Sequence, residues 1–208
     1  MKMILKSLVI SLGLSCMASS TIFAETIAQS QIFGVAPPAC EEQTQLALNI
    51  CASRWAKTAD FLRSLIYEDI YRQIPEARQV YLKQIEQNWN SYRDTHCKEL
   101  SAPFRQGSIY PLLYNSCRAR VTNDRIADLQ GKSNSKITPD ATTQRLAKVL
   151  SQEELRNSSG QRQWQRYQAQ HCQFESLRFT EQSQTAKQCR DRLAESRLRE
   201  LEAMIKIR

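Results

Sequence analysis

Apolar positions recur every three or four residues along most of this chain, and that spacing predicts helices rather than strands. Thr44, Leu48, Cys51, Trp55, Ala59, Leu62 and Ile66 fall on one face, Ile70 extends it, and Pro75 should end that helix or begin the next. Ala77, Tyr81, Ile85, Trp89, Tyr92 and His96 form a second face. Pro103, Gly107 and Pro111 interrupt the pattern as a loop, after which Leu113, Cys117, Val121 and Leu129 mark a third helix. The polar run from Gly131 to Asp140 reads as a linker. Thr142 to Leu155 holds a shorter amphipathic piece with Leu146, Val149 and Leu150, and Asn157-Ser158-Ser159-Gly160 breaks it. Glycine (five) and proline (six) are scarce, and strand-type Val-Ile-Thr alternation is absent after the N-terminal stretch, so the expected fold class is all-α.

The first residues follow a different pattern. Lys2 and Lys6 flank an apolar stretch, Leu8 to Ala18, that is too short to span a bilayer, and small residues follow it. This is the layout of a secretory signal peptide over residues 1–24, with cleavage after Ala24 or Ala28 and a flexible segment over 25–39. Lipid attachment at Cys16 is the alternative; Gly13 stands where a lipoprotein leader prefers Leu. No other stretch approaches the roughly 20 apolar residues that a transmembrane helix needs. The expected product is periplasmic or secreted, with no integral membrane segment after leader cleavage.

Cysteine usage agrees with export. Of seven cysteines the leader removes Cys16, leaving Cys40, Cys51, Cys97, Cys117, Cys172 and Cys189, an even number that implies a disulfide framework. Zinc is not expected: there is no C-x-x-C, and His96 and His171 each directly precede a cysteine, so on a helix the two side chains diverge from a common metal.

An internal repeat organises the rest. Asn88 to Cys97 matches Gln163 to Cys172, with Trp, Tyr, His and Cys at identical offsets: Trp89, Tyr92, His96 and Cys97 against Trp164, Tyr167, His171 and Cys172. Cys117, Arg118, Arg120, Arg125 and Leu129 then parallel Cys189, Arg190, Arg192, Arg197 and Leu201. Six cysteines allow 15 pairings. If each copy is a helical hairpin, Cys97–Cys117 and Cys172–Cys189 follow, leaving Cys40 to pair with Cys51. Eleven residues of straight helix span about 16 Å, whereas bridged Cα atoms lie about 4.4–6.8 Å apart. The segment at Cys40 must therefore fold back, which Pro37-Pro38 suits. The expected architecture is a bundle of disulfide-stapled antiparallel helical hairpins: one full unit at 40–130, a linker at 131–141, and a partial second repeat at 142–208. The second copy, a two-helix hairpin without the long first helix, should lean on the first unit and on its own disulfide, worth about 2–4 kcal/mol.

Residues 40–129 also resemble, in order, the LprI-type lysozyme-inhibitor N-terminal domain family. The resemblance is carried by Cys40, Thr44-Gln45 and Leu48 to Ala52; by Ala59-Asp60, Leu62 and Tyr67; by Gln87 to Asp94 with Cys97; by Gly107 to Pro111; and by Cys117, Thr122, Arg125 and Leu129. Residues 142–204 resemble a second, partial copy in which Gln168 replaces the equivalent of Arg93 and the Gly-Ser loop is missing. The resemblance implies a small helical, disulfide-bonded envelope domain, with some relatives associated with lysozyme inhibition.

Chemistry narrows the function. There is no nucleophile elbow, Gly-rich phosphate loop or H-E-x-x-H, and Glu153-Glu154 are adjacent residues that face different ways on a helix. No catalytic residue, metal or cofactor is expected. Removing Lys2 and Lys6 lowers the net charge from +8 to +6, with basic and acidic residues interspersed, so no nucleic-acid partner is expected. Trp89, Tyr92, Trp164 and Tyr167 are expected in the core. The segment from Pro103 to Ser116 concentrates Phe104, Arg105, Tyr110 and Tyr114, residue types suited to recognition, between Cys97 and Cys117. The reading is an exported cell-envelope protein that binds a protein partner, a lysozyme among the candidates. The alternative is a structural or adaptor protein that binds glycan or another envelope subunit.

Overall fold

The computed structural model describes residues 34–131, 139–178 and 186–207. The expected leader, Cys16, residues 25–33, positions 132–138 of the linker and residues 179–185 of the second loop lie outside them. The described residues form seven α-helices and no strand: α1 (Gln45–Gln73), α2 (Glu76–Ser101), α3 (Tyr110–Leu129), α4 (Pro139–Leu150), α5 (Glu153–Arg156), α6 (Ser159–Arg178) and α7 (Ala186–Ile207).

Local chemistry sets the helix ends. Thr44 caps α1, its Oγ1 accepting from the Ala47 N–H at 3.2 Å. Ile74, held extended by the following Pro75, stops α1, and the Gln79 amide donates to the carbonyls of Tyr71 and Ile74 at the corner. Pro111 sits in the first turn of α3, where its missing N–H costs nothing. Ser158 accepts from the Gln161 N–H at 3.0 Å where α6 begins.

The first copy packs α1 along α3 and α3 against α2; the second packs α4 along α7 and α7 against α6. The two copies meet where α2 packs against α6. Exchanging the copies therefore exchanges the helix pairs, a pseudo-twofold arrangement. One expectation needs correction here. The second copy is more than a two-helix hairpin, because α4, although only 12 residues long, docks on α7 as α1 docks on α3. Leu146, Val149 and Leu150 supply its apolar face and Leu155 of α5 is fully buried. The linker is also shorter than expected, since α4 starts at Pro139.

The stripe on α1 differs from the one its large residues suggest. Its buried positions are Ala52, Ala56, Ala59 and Ile70, while Leu48, Trp55 and Leu62 are only half-buried. Three alanines at helical spacing let α1 approach α3 closely, and larger side chains flank that contact. The Trp55 indole donates instead to the Val35 carbonyl at 2.7 Å, and Val35 also exchanges two hydrogen bonds with the Asn123 amide, at 2.8 and 2.9 Å. The described end of the N-terminal segment is thus held in place, where the sequence suggests a flexible one.

The disulfides are Cys40–Cys51, Cys97–Cys117 and Cys172–Cys189, with Cα separations of 6.1, 5.6 and 5.4 Å. The last two lie within the core and join equivalent helices of the two copies, α2 to α3 and α6 to α7.

Candidate functional site

Trp89, Tyr92, Trp164 and Tyr167 are buried, and each lies beside a charge that sequence reading does not place there. Arg125 on α3 and Arg197 on α7, equivalent in the repeat, are both 0% exposed. Arg125 donates to Glu86 of its own copy at 2.9 and 3.2 Å, then crosses to the other copy, where it meets the Tyr167 hydroxyl at 3.0 Å and His171 Nδ1 at 3.1 Å. Arg197 repeats the pattern in reverse. It donates to Gln161 of its own copy at 2.9 Å and crosses to His96 Nδ1 at 3.2 Å. The Tyr167 hydroxyl donates to Asp128, and the Tyr92 hydroxyl to the equivalent Glu200. Between the two halves the Tyr92 and Tyr167 rings stack, 6.0 Å apart and 8° from parallel.

Each arginine also lies over aromatic rings: Arg125 over Tyr167 at 5.2 Å, Arg197 over Tyr92 at 5.4 Å. A guanidinium suits this position, since its edge makes directed hydrogen bonds while its face stacks. The signal for these roles is in the sequence, because Arg125 and Arg197 share one repeat offset. Burial and cross-copy contact are not legible there.

Protonation follows from the geometry. Guanidinium N–H groups only donate, so the histidine Nδ1 atoms accept and both rings carry hydrogen on Nε2. Desolvation first, and the facing Arg197 second, push His96 well below the usual imidazole range; desolvation and Arg125 lower His171. Burial likewise raises Tyr92 and Tyr167 well above an ordinary phenol. These groups hold the two copies together, and none is a poised acid or base.

The cluster bears on acid stability. Unfolded histidine protonates near pH 6.5, whereas the buried rings stay neutral to lower pH. Their contribution is therefore full above that value and lost as pH falls toward the folded pKa, by up to about 1.4 kcal/mol per pH unit for each ring. Asp124 acts in the opposite sense. Burial raises it to about 7, so the native state binds its proton first and that contribution is lost as pH rises through 7. Two outcomes are expected. The NMR ring signals of His96 and His171 should titrate at lower pH than a free histidine, His96 being displaced the further. Asp124→Asn should steepen the loss of stability below pH 6.5; an unchanged slope in acid-denaturation curves would count against this assignment.

His171, Glu175 and Cys189 bring one possible ligand atom each within 4.8 Å of one another. Their chemistry does not suit a cation: the Cys189 sulfur is bound to Cys172, and Glu175 is already paired with Arg192.

The first copy carries a second charged network, nearer the surface, around Asp60. Arg93 donates to Asp60 at 2.6 Å and to Asp94 at 2.9 Å, while Arg118 reaches Asp60 at 3.0 Å. Arg63 and Arg93 lie over the Trp89 ring, at 5.1 and 4.8 Å. In the second copy Gln168 replaces Arg93 and donates only to the Arg190 carbonyl.

The aromatic segment adjoins this network. Phe104 ends a 3₁₀ turn over Ala102–Phe104, and Arg105 after it is exposed. Tyr110 and Tyr114 lie in the first turns of α3 rather than in a loop, their rings stacked at 5.9 Å, with Arg118 over Tyr114. The Asn49 amide donates to the Ser108 carbonyl at 3.0 Å, fastening the loop to α1. The four residues proposed from sequence therefore belong to one short connector and the helix it feeds, beside the Asp60 network. Phe179 of the second copy lies outside the described residues.

Residues 38–129 match the model of the family described as Lysozyme inhibitor LprI. The match spans α1 to α3 and ends with the first copy. An uncharacterized protein of Rhizobium meliloti (strain 1021) is 28% identical over 107 residues, covering 45% of this chain and 77% of the relative. No solved structure matches.

Proposed function

We propose that this chain is an exported cell-envelope protein that acts by binding another protein without catalysis, with a lysozyme as the first partner to test. The observation that carries this reading is the match of the whole first copy to the lysozyme-inhibitor family. Three disulfides, two of them buried in the core, suit an oxidising compartment. No helix among the described residues is long and apolar enough to cross a membrane.

The binding surface is the connector with Phe104, Arg105, Tyr110 and Tyr114. Its ends are tied by Cys97–Cys117 and its middle by Asn49, so much of its ordering cost is met on folding. Arg105 is exposed and has no ion pair among the described residues, which leaves its guanidinium free for a partner. The functional test combines a pull-down from envelope extract, using the oxidised mature protein, with a lysozyme inhibition assay against cell-wall substrate. Inhibition should be competitive. Arg105→Ala or Tyr110→Ala should weaken binding by about 1–2 kcal/mol, with the larger change in melting temperature at the half-buried Tyr110. If both variants bind as tightly as wild type, the connector is not the site.

A further inference from the structure

We propose that the cleft between α2, α3 and α7 binds a small aliphatic carboxylate, with Arg120 as its anion anchor. This site is separate from the connector, and the inference does not depend on the partner proposed above.

The pseudo-twofold arrangement supplies an internal template. In the second copy Arg192, the equivalent of Arg120, is buried and paired with Glu175, and its Nε lies 3.6 Å from Asp128. Glu175 occupies the place that Leu100 holds in the first copy, three residues after the helix cysteine in each case. The first copy thus keeps the arginine but has leucine where its carboxylate partner would be. Arg120 makes no hydrogen bond or ion pair among the described residues.

The space differs in the matching way. On the first-copy side a pocket of about 250 Å³ opens, lined by Leu100, Val121 and Ala203 as apolar wall and by Arg120, Asp124 and Arg199 as polar groups. That is somewhat below the roughly 300–1,000 Å³ of pockets for drug-sized ligands, so the ligand is small. The other charges are already paired: Arg199 with Asp124 and with Glu195, each at 3.0 Å, and Glu200 with Arg197 at 3.0 Å. The His96 side chain that also lines the pocket is neutral. Arg120 is therefore the charge of this largely apolar cleft that has no hydrogen-bonded or ion-paired partner among the described residues, Asp124 acting on it only through space. A ligand that completes the arrangement brings one carboxylate, in the role of Glu175, and an aliphatic body against Leu100, Val121 and Ala203. A guanidinium facing a carboxylate makes strong, charge-assisted hydrogen bonds.

The test uses octanoate as probe and 1-octanol as the uncharged control, with titration calorimetry on the oxidised protein. Octanoate should bind saturably at one site, and 1-octanol at least tenfold more weakly. Arg120→Gln should weaken octanoate at least tenfold; Arg120 is exposed and outside the core cluster, so the fold should survive this change. Leu100→Glu places a carboxylate at the Glu175-equivalent position and should abolish octanoate binding. Leu100 is only 3% exposed, so its variant is read only where circular dichroism matches wild type, and Arg120→Gln decides the matter regardless. Absence of saturable octanoate binding to wild type, equal affinity of Arg120→Gln, or equal affinity for 1-octanol would each overturn the proposal.

Discussion

Arg125→Ala should destabilise the protein by about 3–5 kcal/mol, the cost of breaking a buried ion pair by removing one partner. The side chain is fully buried, and its removal takes from Glu86 one of its two arginine partners, leaving Arg63, and takes donors from Tyr167 and His171. At this chain length the change corresponds to a fall in melting temperature of about 6–20 °C. Arg125→Lys should also lose much of this, because an ammonium cannot reach Glu86, Tyr167 and His171 from one planar fork. Glu86→Gln should cost less, since Gln161 already fills the equivalent position beside Arg197. The same contacts cross between the copies, so the two units should unfold together. Far-ultraviolet circular dichroism and tryptophan fluorescence should report coincident transitions. A mild Arg125→Ala effect, or two separated transitions, would mean that the buried cluster does not couple the copies.

Loss of the second-copy disulfide is the other large effect expected. Closing loops of 17 and 20 residues is worth about 3 kcal/mol each on the chain-entropy account, so entropy alone does not separate Cys172–Cys189 from Cys97–Cys117. Packing does. The first copy keeps a 29-residue α1 along α3, whereas the second has only the 12-residue α4 along α7. Cys172→Ser with Cys189→Ser should therefore cost about 3–5 kcal/mol, more than the matched pair at Cys97 and Cys117. Cys40–Cys51 closes a shorter loop, of 11 residues, at a partly exposed edge, and its removal should leave the global transition least changed. Stepwise reduction followed by alkylation and peptide mapping gives an independent check: Cys40–Cys51 should open first and the two buried bonds last. Simultaneous reduction of all three, or an early loss of Cys172–Cys189, would show that burial does not rank these bonds.

Much of the architecture is present in the order of residues alone. Helical periodicity reflects a physical repeat of 3.6 residues, so the faces at Ile85, Trp89, Tyr92 and His96 and at Cys117, Val121 and Leu129 can be read without a structure. Duplication leaves equal offsets behind, and these give both the two copies and the pairing of Cys97 with Cys117 and Cys172 with Cys189. The aromatic connector is likewise a matter of local composition. Periodicity does not say which helix lies opposite a face, and there the tertiary structure decides. It sets α2 against α6, so that Arg125 and Arg197 each leave their own copy to meet a tyrosine and a histidine of the other. It places small Ala52, Ala56 and Ala59, rather than larger neighbours, at the closest approach of α1, because helix packing rewards short distance as well as apolar area. The pocket beside Arg120 has the same origin. Leucine at position 100 and glutamate at position 175 are ordinary residues in a linear reading, and only the folded chain shows that one arginine has a carboxylate in the interior while the other faces a cleft.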